Sequence, residues 1–243
     1  MRIPHLTAWF MIFATVSSAG EAVVLLHGLA RTDKSMTKMA SALEAEDYTV
    51  MNVDYPSREA TVEVLATMVI DAALADPRLK DTERIHFVTH SMGGILVRQY
   101  LKTRRPHRLG RVVMLGPPNQ GSEVVDKIGD TQVFKSINGP AGQQLGTGPD
   151  SVPNQLGPVN FDLGVIAGNR SINWINSLMI PGPDDGKVSV ERTKVAGMKA
   201  HLVVHATHPY LMRNAQVIRE TIHFLREGRF TASPAPEVSP PNR

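Results

Sequence analysis

A serine, an acid and a histidine follow one another along this chain in settings that could turn the serine into a nucleophile. Ser91 stands in Thr89-His90-Ser91-Met92-Gly93-Gly94, directly behind the apolar run Ile85-His86-Phe87-Val88 and at the opening of the helix-like stretch 92–100. A strand, a one-residue turn and a helix force the central residue into a strained conformation. Its side chain is then lifted out at the carboxyl end of a sheet, and the next backbone N–H is free to donate. The full motif is G-x-S-x-G, and Thr89 takes the place of its first glycine. A hydroxyl and a methyl must therefore fit where helix and strand approach closely. Taken alone, Ser91 also reads as an ordinary helix N-cap.

Two other segments bear on the choice. The strand-like run Ala22-Val23-Val24-Leu25-Leu26 ends in His27-Gly28-Leu29. In a serine hydrolase the loop after such a strand supplies the second oxyanion donor, so the backbone N–H of Leu29 would join that of Met92. His27 is then structural, and a strand–His–Gly–loop is also common in parallel-sheet proteins that lack this chemistry. Downstream, Pro183-Asp184-Asp185-Gly186-Lys187-Val188 is followed by Thr207-His208-Pro209, which gives the order Ser…Asp…His. His208 would take the Ser91 proton, and a carboxylate would fix the imidazole tautomer. His205 is the alternative base. His201 and His205 alternate along an apolar strand, His86 lies in a strand, His223 sits in a helix, and His90 is expected to point away from the nucleophile. Adjacent loop residues point in different directions, so only one of Asp184 and Asp185 can meet His208. Asp162 and Glu191 are the carboxylates to consider if neither does.

These segments resemble the α/β-hydrolase family, and within it the bacterial lipases and esterases. Leu26-His27-Gly28-Leu29 matches the family's oxyanion loop, and His90-Ser91-Met92-Gly93-Gly94 its nucleophile elbow. Leu115-Gly116-Pro117-Pro118-Asn119-Gln120-Gly121-Ser122 is similar to the lipase G-x-P-x-x-G-S segment, and Asp185-Gly186-Lys187-Val188 to the D-G-x-V segment that holds the acid. The resemblance spans about residues 22–228 and implies Ser91, Asp185 and His208 as the catalytic residues, with Leu29 and Met92 as oxyanion donors. It selects Asp185 over Asp184, which becomes a solvated or loop-capping residue. Asn119 stands where those lipases often carry His, and Tyr210 where calcium-binding members carry Asp, so no metal or other cofactor is expected.

The elements that must position these residues alternate between strand and helix patterns, which predicts a parallel sheet with helices on both faces. Strands are expected at about 22–26, 49–53, 85–89, 111–115, 162–167 and 201–205, and helices at about 34–46, 59–75, 92–104, 122–128 and 214–227. Six mainly parallel strands make a trimmed α/β-hydrolase fold without the leading antiparallel pair. A single domain over residues 20–230 suits a 243-residue chain with 42% hydrophobic content. The Gly/Pro/Gln-rich stretch at about 128–160 reads as an irregular cap or substrate-facing loop, with a plain surface excursion as the alternative.

Composition narrows the function. The absence of cysteine excludes disulfides, a thiol nucleophile and thiolate metal sites. The net charge of +3 is spread out, and the one tight basic cluster, Arg104-Arg105-Pro106-His107-Arg108, has no aromatic residues interleaved to stack on bases, so nucleic acid is not an expected partner. Residues 1–19 read as a signal peptide: Arg2, an apolar core over 6–16, and Ser17-Ser18-Ala19 as small residues before cleavage. Export to the periplasm or medium is the corresponding expectation, with retention by an uncleaved segment as the variant. Residues 231–243, with four prolines, read as a disordered tail. The expected substrate is a small ester or lipid, a setting that admits contact with a membrane surface. An acyltransferase or thioesterase on the same triad, or an inactive hydrolase-fold binding protein, are the other readings.

Overall fold

The computed structural model describes residues 20–172 and 177–231. The segment read as a signal peptide, 1–19, and all but the first residue of the expected tail lie outside the described residues. Six strands form one sheet: β1 (Glu21–Leu26), β2 (Thr49–Val53), β3 (Arg84–His90), β4 (Leu109–Leu115), β5 (Leu163–Gly168) and β6 (Ala200–Val204), in the spatial order β2-β1-β3-β4-β5-β6. Every neighbouring pair is parallel. Each strand falls within two residues of its expected position, because runs such as Val23–Leu26 and Phe87–Thr89 are apolar or β-branched and buried on both faces.

Strand alternation divides the core in two. Val24, Leu26, Phe87, Val112 and Met114 face α2 (Val62–Leu74) and α3 (Met92–Thr103), meeting Leu65, Val69, Ile95 and Leu96. Val23, Leu25, Val88, Val113 and Leu115 face the other way. There they meet Met39 and Leu43 of α1 (Thr37–Glu44) and Val217 and Phe224 of the final helix, α7 (Ala215–Glu227). Covering both faces buries the central strands and leaves the carboxyl ends of the strands as the surface on which chemistry can be placed.

Three boundaries differ from the sequence reading. The first helix is preceded by a separate 3₁₀ turn, Asp33–Ser35, and the second begins only after Thr61. More importantly, the stretch 128–160 is not irregular throughout. After α4 (Glu123–Ile128) it carries α5 (Gln132–Gln143) and the short α6 (Val152–Gln155). Thr131 caps α5 by accepting from the Phe134 N–H at 3.2 Å, and the helix is kinked at Gly139-Pro140, where Gly139 has φ 61°. A Cβ at Gly139 would lie 1.9 Å from the Arg58 carbonyl oxygen, so the glycine is where this helix passes over the chain at residue 58.

Candidate active site

Ser91 sits between β3 and α3 with φ 53° and ψ −123°, a backbone conformation that L-residues rarely adopt. It is held there by its N–H, which donates to Leu115 O at 2.9 Å, and by its carbonyl, which accepts from Gly94 N at 3.0 Å. Met92 follows as the first residue of α3, so its N–H has no acceptor within the helix. The threonine in the elbow fits because Gly94 supplies the space. A Cβ at residue 94 would lie 3.2 Å from Thr89 Oγ1 and 3.0 Å from Met114 Sδ. The Thr89 hydroxyl is fully buried and finds no partner among the described residues.

The histidine and the acid arrive from β6 and from the loop after β5. His208 opens the 3₁₀ segment His208–Arg213, and its N–H donates to Asp185 O at 2.9 Å. Its Nδ1 lies 2.7 Å from Asp185 Oδ2 and its Nε2 lies 3.0 Å from Ser91 Oγ. Asp185 is buried, and its other oxygen accepts from the backbone N–H groups of Lys187 (3.0 Å) and Val188 (2.9 Å). The carboxylate is therefore fixed on both oxygens and presents one of them to the imidazole. With Asp185 holding Nδ1, the proton on Nδ1 is favoured, and Nε2 is left to accept from the serine hydroxyl. Gly116 makes room for this pair, since a Cβ there would lie 3.0 Å from Asp185 Oδ2 and 3.1 Å from His208 Nδ1.

The structure thus brings Ser91, Asp185 and His208 together and sets the alternatives apart. His205 is exposed and its Nδ1 lies 3.2 Å from Asn169 Oδ1. Asp162 pairs with Lys199, and Glu191 with Lys194. Asp184 is buried rather than solvated. Its Oδ1 accepts from Gly186 N at 2.7 Å and from the Ser177 hydroxyl at 2.9 Å, so it braces the turn that presents Asp185. His90 also departs from its expected orientation. Its ring packs against that of His208, with centroids 4.7 Å apart, and its Nε2 lies 3.0 Å from His208 O. Burial, and next the neighbouring His208, hold His90 well below the ordinary histidine value, and its ring props that of His208. His27 is buried as a structural residue: its ring stacks on Tyr55, whose hydroxyl donates to His27 O at 2.6 Å.

A cavity of about 320 Å³ opens beside the serine. Gly28, Leu29, His90, Ser91 and His208 form its polar end, and Val124, Val125, Phe134, Ile137 and Leu145 its apolar wall. The apolar wall comes from α4, α5 and Leu145 just beyond them. The loop after β4 is anchored through Asn119, whose Nδ2 donates to Thr193 O at 2.8 Å while its O and Oδ1 accept from Arg98. Nothing in the motif reading marked Arg98, because an arginine in the middle of α3 gives no local sign that it is buried.

The profile of the palmitoyl protein thioesterase family matches residues 22–150, from β1 to just before α6. The chain belongs to this family. The matched part includes the Leu29 loop and Ser91, whereas Asp185 and His208 lie beyond it. Among solved structures, a mature lipase of Bacillus licheniformis superposes with a TM-score of 0.68 at 18% identity, covering 85% of this chain and 92% of the other. The Pyrococcus furiosus esterase Pf2001 gives 0.57 at 19% identity over 86% and 83%. The Legionella pneumophila phospholipase PlaB gives 0.60 at 21% identity over 72% of this chain and 45% of the other. These likenesses establish the α/β-hydrolase fold for this family member. No curated protein matches the chain in sequence.

Proposed function

We propose that this protein is a serine hydrolase that cleaves acyl esters or thioesters through an acyl-enzyme. The observation that carries the reading is the unbroken relay from Asp185 Oδ2 through His208 to Ser91 Oγ, at 2.7 Å and 3.0 Å, at the mouth of an apolar cavity. In the forward half-reaction His208 Nε2 takes the Ser91 hydroxyl proton as Oγ attacks the acyl carbonyl carbon. The carbonyl oxygen gains the negative charge and accepts from the N–H groups of Met92 and Leu29. His208 then returns the proton to the departing alcohol or thiol. In the second half-reaction a water, deprotonated by the same nitrogen, attacks the acyl-serine, which releases the carboxylic acid and restores the Ser91 hydroxyl.

Membership of the palmitoyl protein thioesterase family favours thioesters among the possible substrates. A thiolate is a better leaving group than an alkoxide, so a site with two backbone donors and one histidine suffices for either. The apolar wall of Phe134, Ile137 and Leu145 suits a hydrocarbon acyl chain. A fluorophosphonate probe, followed by matched ester and thioester series of increasing acyl length, tests the reading. Labelling at Ser91 together with release of the fatty acid supports it. Transfer of the acyl group to an added alcohol in preference to water would make the protein an acyltransferase, and labelling elsewhere or none would overturn the proposal.

A further inference from the structure

The polar end of the cavity carries charge that the hydrolytic machinery does not use. Arg31, two residues beyond Leu29, and Lys187, between Asp185 and Val188, both line the cavity that holds Ser91. Neither side-chain cation has a hydrogen bond or an ion pair with any described residue. Arg31 engages only through its backbone N–H, which donates to Gly28 O at 3.3 Å. The Lys187 backbone is pinned twice, its N–H donating to Asp185 Oδ1 at 3.0 Å and its carbonyl accepting from the Ser122 hydroxyl at 2.7 Å, while its ammonium is left free. Some basic side chains elsewhere are paired with carboxylates, as Arg104 is with Asp71 and Arg192 with Glu123. Asp185, the acid nearest Lys187 in sequence, has both oxygens committed.

The Lys187 ammonium is held below the ordinary lysine value by desolvation and, next, by Arg31, with Asp185 opposing. Both residues keep exposed surface, and two like charges lining one cavity raise its positive potential and favour an anion there. The lining also includes hydrocarbon side chains such as Phe134 and Leu145, against which an anion would lose its hydration without gaining a partner. The anion must therefore sit on the part of the substrate that is not the acyl chain.

The geometry points to a phosphate subsite: Arg31 and Lys187 bind a phosphate group carried by the alcohol or thiol half of the substrate, so the preferred substrates are acyl esters or thioesters of phosphorylated leaving groups. This inference rests on Ser91 being the nucleophile. Arginine suits the task because its planar fork can pair two phosphate oxygens at once, with the lysine as a mobile point charge.

Two matched substrate pairs separate a lipid headgroup from a soluble thiol: 1-octanoylglycerol 3-phosphate against 1-octanoylglycerol, and octanoyl-coenzyme A against the octanoyl thioester of N-acetylcysteamine. In at least one pair the phosphorylated member is expected to have the higher kcat/KM, and that pair identifies the source of the phosphate. Arg31→Gln and Lys187→Gln should each reduce this preference about tenfold, the loss expected for one hydrogen bond to a charged group. Added salt should reduce it as well. A preference absent in the wild type, or unchanged in both variants, would overturn the proposal. Binding of octyl phosphate to the Ser91→Ala protein, followed by calorimetry with and without the two glutamines, reads the subsite with no turnover. If it binds more tightly with the cations present while no substrate is hydrolysed, the hydrolase reading fails and the subsite stands. Equal binding with hydrolysis intact has the opposite meaning.

Discussion

The two walls of the cavity are built in different ways. Ser91 follows β3 directly, His208 lies just after β6 and Asp185 in the loop after β5, and each is fixed by backbone contacts: Ser91 N to Leu115 O, Asp185 Oδ1 to two N–H groups, His208 N to Asp185 O. The wall of Phe134 and Ile137 comes from a kinked helix on which Val133 is 68% and Ile137 50% exposed. Its ties to the body run through a few bonds such as Gln144 Oε1 to Val62 N at 2.7 Å and Ser122 N to Leu145 O at 2.9 Å. One wall is thus positioned to within the tolerance of a hydrogen bond, as bond-making requires. The other needs only to be apolar and roughly in place, as a hydrocarbon chain requires.

The sharpest way to break this contrast is to remove an atom from the fixed wall. Ser91→Ala should abolish fluorophosphonate labelling and lower kcat by about 10⁴–10⁶ without unfolding the chain, and adding His208→Ala should lower it little more, because such residues act as a unit. Labelling that persists in Ser91→Ala would remove the serine from the mechanism. Next comes the adjacent acid pair. Asp185→Asn should cost roughly 10⁴ in turnover, since an amide facing Nδ1 stabilises the wrong imidazole tautomer. Asp184→Asn keeps an oxygen for Gly186 N and the Ser177 hydroxyl, so its effect should stay within about tenfold. Reversed effects in steady-state assays would transfer the role to Asp184.

On the apolar wall a larger disturbance should do less. Gly139→Ala drives a methyl into the Arg58 carbonyl and must shift α5, yet it touches none of the reacting groups. We expect KM for long acyl chains to rise several-fold with kcat nearly unchanged, an effect of lost uniform binding. A fall in kcat as large as that of Asp185→Asn would show that α5 positions the chemistry after all. The smallest effect is expected inside the elbow. Thr89→Val replaces an unpartnered buried hydroxyl by a methyl of similar size, so thermal unfolding should show stability unchanged or higher by up to about 1 kcal/mol. A clear loss of stability would mean that the hydroxyl has a partner.

The same contrast explains what could be read from the chain. The strands were legible because their burial on both faces writes a continuous apolar run, and Ser91, Asp185 and His208 because each sits in a short local motif. Helix α5 was hidden by Gly139-Pro140, a pair that ordinarily marks a loop and here marks a kink inside a helix. The orientation of His90 depends on a carbonyl 118 residues away, and the burial of Asp184 on Ser177 and the turn at Gly186. Those are properties of the assembled fold, and no window of sequence around either residue contains them.

Arg98 carries a further mechanical consequence. It lies on α3, the helix whose first residue follows Ser91. Its guanidinium is buried deeply enough to push its pKa down to about 10, yet it remains charged at neutral pH. One nitrogen donates to Asn119 O, and the other to Pro153 O and Gly157 O, so a single side chain staples both ends of the covering segment to the helix that bears the nucleophile. The segment is built like a bucket handle with both feet riveted to the rim and α5 in the arc between them. Those feet, and with them the two ends of the apolar covering, share one rigid helix with the serine.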